Sequence, residues 1–548
     1  MRQWPLWLVT FFAIVMFVLQ CVSLGDARID DAFITFSSSK NLALGHGPVY
    51  SHGVRVEGYS TFLWMVLVAL PLIVTRGAAP LTMARVMGVP FVVLLGWAVY
   101  RLARSFGASS LVASVCVLLL SFNTDLAVSY LMGMETLPYV ALVVFAFAAT
   151  VQSFAEPRWQ KWAAWGGLCV ALMRIDGFVP WGTMLGWSFL RVFSRGDARS
   201  IRRFIRTFAP PVAVYILWFM WRWHYYGLFL PSTYYAKALL PKLLPRQGIE
   251  YLLGEATGAW LWCGLVAWLW LLWRRRLGAA LVGAFVVIHW LYVVAVGGDW
   301  MPYGRFLLPT VPFLVVFLVV SGANATIAFF RSRSRLRWSI PVPFVLLAAM
   351  MAVRTDHRFL NDDFEKNKLA GVARETSNVK NYLRAAEFLS QVVPPGGRLV
   401  TDYGGVFGYY TEGSVIEMWG LANATIATRG STEGVQPIFG RTCPACYPEL
   451  QPEYFHVIAP MVRKEPAFSS PNEVIANVWQ NDTIGRYIDF KGVFAVGRAL
   501  SPETGEALYF LQRRDERFSA ARRTTGRGLI IEYPFETTLA DGMLPAHL

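Results

Sequence analysis

Long apolar runs recur along this 548-residue chain, and short arginine-rich clusters punctuate them. That alternation constrains the fold more than any other feature. About 20 consecutive apolar residues suffice for a helix to span a bilayer, and clustered Lys/Arg between such runs mark the cytoplasmic side. Three clusters carry the signal: Arg191–Arg206, with six arginines against the single acid Asp197; Arg274–Arg276; and Arg331, Arg333, Arg335 and Arg337. Two apolar runs lie between each consecutive pair, about 207–225 with 256–273 and 278–296 with 306–330, so all three clusters can face the same side. A last run, about 338–353, then carries the rest of the chain to the opposite side.

Working back from Arg191, runs near 177–190 and 161–175 form a pair whose outer turn holds Arg174 and Asp176. Runs 134–153, 108–122, 82–100 and 4–24 complete the set, with Arg101 and Arg104 inside. The stretch Ser60–Thr75 joins two points that parity puts outside; with 16 residues and Pro71 it is short for a crossing and reads as an interfacial or re-entrant helix. The expected fold is therefore an all-α polytopic membrane domain over 1–353, with about 11 transmembrane helices and an external loop at 25–81. The first run reads as an uncleaved anchor, since no small-x-small cleavage site follows it cleanly.

Composition agrees. Apolar residues make up 55% and charged residues 16%, where soluble domains run nearer a quarter charged. Many of the 22 Trp and 22 Tyr lie at the ends of the runs, as an interfacial belt requires. The net charge of +15 sits largely in short clusters between the runs, which reads as membrane anchoring and not nucleic-acid binding. From about Arg354 the long runs stop and polar residues, Pro and Gly rise. Residues 354–548 are expected to form a small extracytoplasmic α/β domain, with a helix near Val379–Val393 stopped by Pro394-Pro395-Gly396-Gly397 and strands at Arg398–Tyr410, Ser414–Met418 and Glu453–Ile458. Cys443-Pro-Ala-Cys446 lacks a second pair for zinc and suits a local disulfide. No internal repeat is visible, which counts against an inverted-repeat transporter.

The polar chemistry collects at the expected outer face. Asp30-Asp31 directly follows the first run, and two adjacent carboxylates there are costly unless solvated, paired or used. The loop continues through Lys40-Asn41-Leu42-Ala43, Gly45-His46-Gly47-Pro48-Val49-Tyr50 and Arg55-Val56-Glu57-Gly58-Tyr59. Further along come Gly133-Met134-Glu135-Thr136, Arg174-Ile175-Asp176-Gly177, Leu230-Pro231-Ser232-Thr233-Tyr234-Tyr235-Ala236-Lys237 and Gly297-Gly298-Asp299-Trp300-Met301-Pro302-Tyr303-Gly304-Arg305. His46 and His52 read as loop residues and not metal ligands.

Taken in order, over roughly residues 20–320, these strings resemble GT-C membrane glycosyltransferases that use polyprenyl-phosphate sugars, closest to the terminal arabinofuranosyltransferases of cell-wall arabinan. Met134 stands for the family's Leu, and Ile175 and Asp176 replace its Pro and Glu. The resemblance implies a catalytic carboxylate at Asp30 or Asp31, donor-phosphate cations among Arg174, Lys237 and Arg305, and supporting roles for Glu57, Glu135, Asp176 and Asp299: on sugar hydroxyls, on those cations or on a divalent ion. It implies a polyprenyl-phosphate-linked donor, arabinofuranose favoured, and a glycan acceptor, with a protein or lipid acceptor as the alternative; it names no certain cofactor and leaves divalent-metal dependence open. The chemistry fits, because transfer to a hydroxyl needs a base for the proton and cations for the departing phosphate. A transporter would place its ionisable groups near mid-membrane, and a non-catalytic scaffold would need no acidic pair. Convergence of Asp30, Asp31, Arg174, Lys237 and Arg305 discriminates among these readings.

Overall fold

A computed structural model describes residues 4–534 apart from 52, 195, 238–243, 256–258, 274–276, 300, 302, 332–367, 432–439, 457–461, 465–467, 479–485 and 516–517. Helix α1 (Trp4–Leu24) leads into α2 (Asp30–Ala43), the acidic pair forming the first turn of α2. Then follow α3 (Phe62–Thr75), α4 (Pro80–Ser105), α5 (Ser110–Ser121), α6 (Thr124–Leu131), α7 (Thr136–Ser153), α8 (Trp159–Met173), α9 (Phe178–Phe193) and α10 (Ala198–Tyr226). After α11 (Ser232–Lys237) and α12 (Leu244–Glu255) come α13 (Ala259–Trp273), α14 (Leu277–Ala295) and α15 (Val311–Arg331). Apolar runs named from the sequence thus each fall on a helix, except 338–353, which lies outside the described residues.

Length separates these helices. Among the described residues, α4, α7, α10 and α14 are long and apolar enough to cross a bilayer, and α5 with α6 would add a fifth as one span broken by a 60° bend. The run at 108–122, expected as one plain span, is α5 alone, the first half of that bent pair. Its break falls at Phe122-Asn123, where the Asn123 side chain accepts from the Leu126 amide and starts α6 afresh. Helix α3 has 14 residues, about 21 Å at 1.5 Å per residue, well short of a roughly 30 Å core. Its left-handed C-cap at Arg76 and the Gly77 that follows turn the chain back into α4. Helix α7 is the axis of the bundle: nearly every residue is buried, and α4 and α8 pack along it.

The C-terminal part builds one mixed sheet. Helix α16 (Lys368–Val392) precedes β1 (Arg398–Thr401), α17 (Gly404–Tyr410), β2 (Ser414–Glu417), α18 (Ala424–Arg429), α19 (Tyr447–Leu450), β3 (Tyr454–His456), β4 (Val462–Lys464), α20 (Pro471–Ala476), α21 (Phe490–Val493), β5 (Phe494–Leu500), β6 (Glu506–Arg513), β7 (Arg523–Thr524) and β8 (Ile530–Glu532). The strand order is β2-β1-β3-β6-β5-β8-β7, with β4 on β6; β1 pairs parallel with β2 and β3, and the remaining pairs are antiparallel. The strand expected over Arg398–Tyr410 ends at Thr401, and its second half is helix α17. An apolar stretch of this length suits either state; the groups that decide for helix lie in α2, far upstream. Cys443 and Cys446 form a disulfide in the turn before α19.

Candidate active site

The first loop is fastened to the bundle before any charge is placed. Helix α2 packs on α3, with the Ser39 hydroxyl donating to the Met65 carbonyl at 2.9 Å. The Ile175 amide donates to the Ser60 carbonyl at 3.0 Å, joining the loop to the turn between α8 and α9. Trp64 Nε1 donates to the Gly133 carbonyl at 3.1 Å, joining it to the start of α7. The first loop and the strings at Gly133–Thr136 and Arg174–Gly177 therefore meet at one end of the bundle.

The acids and arginines mostly neutralise one another. Arg174 is clamped by Asp176 through Nε and Nη2 at 2.9 and 3.1 Å, and its Nη1 reaches Glu135 at 3.2 Å. Arg305 makes a two-pronged pair with Asp299 at 2.7 and 2.9 Å. The Phe306 ring centroid is 5.2 Å from each guanidinium. Glu57 joins neither group. It is held at 2.6–3.0 Å by Arg222 near the end of α10, and Arg222 also donates to the Phe229 carbonyl. Arg222 is 1% exposed and carries a structural pair that the sequence reading did not single out.

Two charges are different. Among the described residues, neither the Asp31 carboxylate nor the Lys237 ammonium has a hydrogen-bond or ion-pair partner, yet each lies in the other's field. Burial pushes the Lys237 pKa down, with Asp31 the strongest opposing charge; Asp299, Arg305 and Glu417 also act on it. Asp31 and Asp299 act as well on the buried Tyr303.

Asp30 is a different object from its neighbour. Its two carboxylate oxygens accept the amides of Val406 and Gly405, at 2.8 and 2.9 Å, from the first turn of α17. It is buried, and that burial pushes its pKa up to about 7 against the pull of the two amides; Asp31 and Asp402 add to the rise. Two acids of the C-terminal part, absent from the sequence reading, border the same charges. Glu375 on α16 has its pKa raised by burial and then by Asp31. Glu417, at the end of β2, accepts amides from Trp419, Leu421 and Ala422 at 2.8, 2.6 and 3.2 Å. Burial pushes the Glu417 pKa up to about 7. Neither has a local motif; the nearest signals are the strings Asp402-Tyr403-Gly404-Gly405 and Gly420-Leu421-Ala422 on either side of Glu417.

Asp30 and Asp31, Asp31 and Lys237, Lys237 and Arg305, and Arg305 and Arg174 thus lie within electrostatic reach of one another. Asp299, Asp176 and Glu135 serve its arginines, while Glu57 is bound elsewhere. Among the described residues no group of three or more His, Cys, Asp or Glu is arranged to hold a metal ion. His46 is an exposed loop residue, and His52 lies outside the described residues.

The fold is that of the GT-C membrane glycosyltransferases. The structure superposes on the oligosaccharyltransferase of Archaeoglobus fulgidus with a TM-score of 0.54 at 11% identity, over 94% of this chain and 75% of that one. It superposes on ArnT of Cupriavidus metallidurans, bound to undecaprenyl phosphate, with a TM-score of 0.50 at 12% identity, over 76% of this chain and 87% of that one. In sequence the chain is 27% identical over 337 residues to a terminal β-(1→2)-arabinofuranosyltransferase of Corynebacterium glutamicum, covering 53% of this chain and 47% of the relative. The match therefore spans less than half the relative's length. Residues 370–496 match a family described as a domain of unknown function (DUF8728). That segment includes all but the first two residues of α16, together with α17, Glu375 and Glu417.

Proposed function

We propose that this protein is a membrane glycosyltransferase that moves a sugar, arabinofuranose by its sequence relative, from a polyprenyl-phosphate donor to a hydroxyl of an extracytoplasmic glycan. The observation that carries the reading is an uncommitted carboxylate, Asp31, within electrostatic reach of an uncommitted ammonium, Lys237, where Arg174 and Arg305 are already matched by acids. Asp31 accepts the proton of the acceptor hydroxyl as that oxygen bonds to the anomeric carbon. The bond from the anomeric carbon to the phosphate oxygen breaks, and polyprenyl phosphate leaves with its electron pair. Lys237 stabilises the growing negative charge on the phosphate, an effect that is strong where water is excluded. Arg305 and Arg174 supply longer-range positive potential while holding Asp299, Asp176 and Glu135 in place. The donor's lipid lies among the helices, which is consistent with the undecaprenyl phosphate bound by the Cupriavidus relative.

Residues 1–353 are read as the membrane catalytic domain and 354–548 as an extracytoplasmic domain, because the arginine clusters place the acidic pair opposite the cytoplasm. The test is Asp31→Asn in reconstituted protein, supplied with polyprenyl-phosphoryl arabinofuranose and a short arabinan acceptor. Turnover should fall about 10²–10⁴-fold, the usual cost of losing a general base. Undecaprenyl phosphate should bind as before. Normal turnover by the Asn variant would remove Asp31 as the base, and no transfer by the wild-type protein would remove the proposal.

A further inference from the structure

Two short helices of the C-terminal part reach back onto the elements that carry the uncommitted charges. Helix α17 lies along α2, which bears Asp31, and α18 lies along α11, which ends in Lys237. The first contact is built closely. Besides the two amides held by Asp30, the Tyr50 hydroxyl donates to the Gly404 carbonyl, Lys40 donates to the Tyr409 carbonyl at 2.8 Å, and the Tyr409 hydroxyl donates to the Gly77 carbonyl. Three glycines make room for it. A Cβ on Gly404 would come within 2.5 Å of the Glu417 side chain, one on Gly405 within 1.9 Å of the Asp30 carbonyl oxygen, and one on Gly408 within 2.5 Å of the Tyr50 hydroxyl. The second contact is organised by Glu417, whose carboxylate gathers the amides of the loop running into α18.

We infer that the C-terminal unit is a working part of the transfer site, a clamp that sets Asp31 and Lys237 in register, and that Asp30 is its positioning residue. Asp30 does this through α17: with both oxygens committed to Gly405 and Val406, it fixes the first turn of α2 and so the direction in which the adjacent Asp31 is presented. Glu417 does the corresponding work for Lys237 through α18. The kinetic part of this inference rests on the glycosyl-transfer reading; the clamp itself does not.

The experiment uses the full-length chain in nanodiscs and three variants: Asp30→Asn, Gly405→Ala and the double. Gly405 carries no side chain and can do no acid–base chemistry, so a shared phenotype isolates position from reaction. Each single variant should raise hydrogen exchange of the 404–410 amides and lower kcat by roughly tenfold, about the worth of one hydrogen bond to a charged group. Undecaprenyl phosphate affinity should stay within about twofold. The double should be no worse than either single, since both break the same contact. Should Gly405→Ala fail to fold, Tyr50→Phe, which removes only the hydroxyl on Gly404, is the milder probe and should shift exchange in the same direction. Unchanged exchange in Asp30→Asn overturns the clamp, and so does loss of turnover in Asp30→Asn while Gly405→Ala works normally. No transfer by the wild-type protein, with 404–410 exchange raised in the clamp variants, would instead leave the clamp standing and remove the glycosyl-transfer reading.

Discussion

Replacing Lys237 with Gln tests the division between committed and uncommitted cations. In the folded chain Arg174 is matched by two carboxylates and Arg305 by one, whereas Lys237 has no partner among the described residues. A donor phosphate would give it a direct counter-ion, and a hydrogen bond to a charged group is worth about 1.5–3 kcal/mol. Lys237→Gln should therefore weaken undecaprenyl phosphate binding by roughly 10- to 150-fold, at 1.4 kcal/mol per factor of ten, with the unfolding temperature nearly unchanged. Arg305→Gln should behave in the opposite way. It strands Asp299, whose side chain is 2% exposed, and orphaning one member of a buried pair costs about 3–5 kcal/mol of stability. Titrating undecaprenyl phosphate into nanodisc-embedded variants, alongside their thermal unfolding, reads both quantities. Wild-type affinity in Lys237→Gln, together with a well-folded Arg305→Gln that no longer binds, would assign the phosphate to the arginine and refute the argument.

Glu57→Gln should lower stability by about 3–5 kcal/mol through loss of the buried Arg222 pair, with little change in undecaprenyl phosphate affinity for the protein that folds; thermal melts and titrations check this. Asp30 and Glu417 have carboxyl pKa values raised to about 7, so between about pH 4 and pH 7 the folded chain holds protons that the unfolded chain releases, and their contribution to stability falls as pH rises through that window. The melting temperature of Asp30→Asn relative to wild type should accordingly rise from pH 5 to pH 8; a difference independent of pH contradicts the shift. Reporter fusions after residues 104, 200, 275 and 334 should read cytoplasmic and one after 400 external; a cytoplasmic reading at 400 rejects the proposed orientation.

Much of the membrane part was legible because bundle helices are long in sequence and uniform in character. The runs at 4–24, 134–153 and 278–296 needed only hydropathy to find, and α1, α7 and α14 follow them closely. The site was legible as a set of residue types, since acids and cations at the ends of apolar runs are costly without a role. Their partnerships were not legible. Glu57 meets Arg222 165 positions away, and Asp30 meets Gly405 375 positions away, so no local pattern separates Asp30 from Asp31. Residues 402–410 show the same limit. Tyr, Val and Phe with alternating small residues read as strand, but Asp30 takes the amides of Gly405 and Val406, and the segment is helical. Glu375 and Glu417 went unnoticed because an acid in a polar tail gives no signal until the fold sets it beside Asp31.

The bond from Asp30 to Gly405 also dictates a schedule. A ribosome adding about 5–20 residues per second needs roughly 20–75 s to travel from one of these positions to the other. Throughout that interval the nascent chain carries an acidic pair whose first member has no amides to hold. The membrane helices can insert and pack one after another as they emerge, while the reaction centre waits for the tail. Newly made protein should therefore pass through an inserted, inert stage, and ribosome stalling just before residue 404 should trap it there with its helices inserted and no transferase activity.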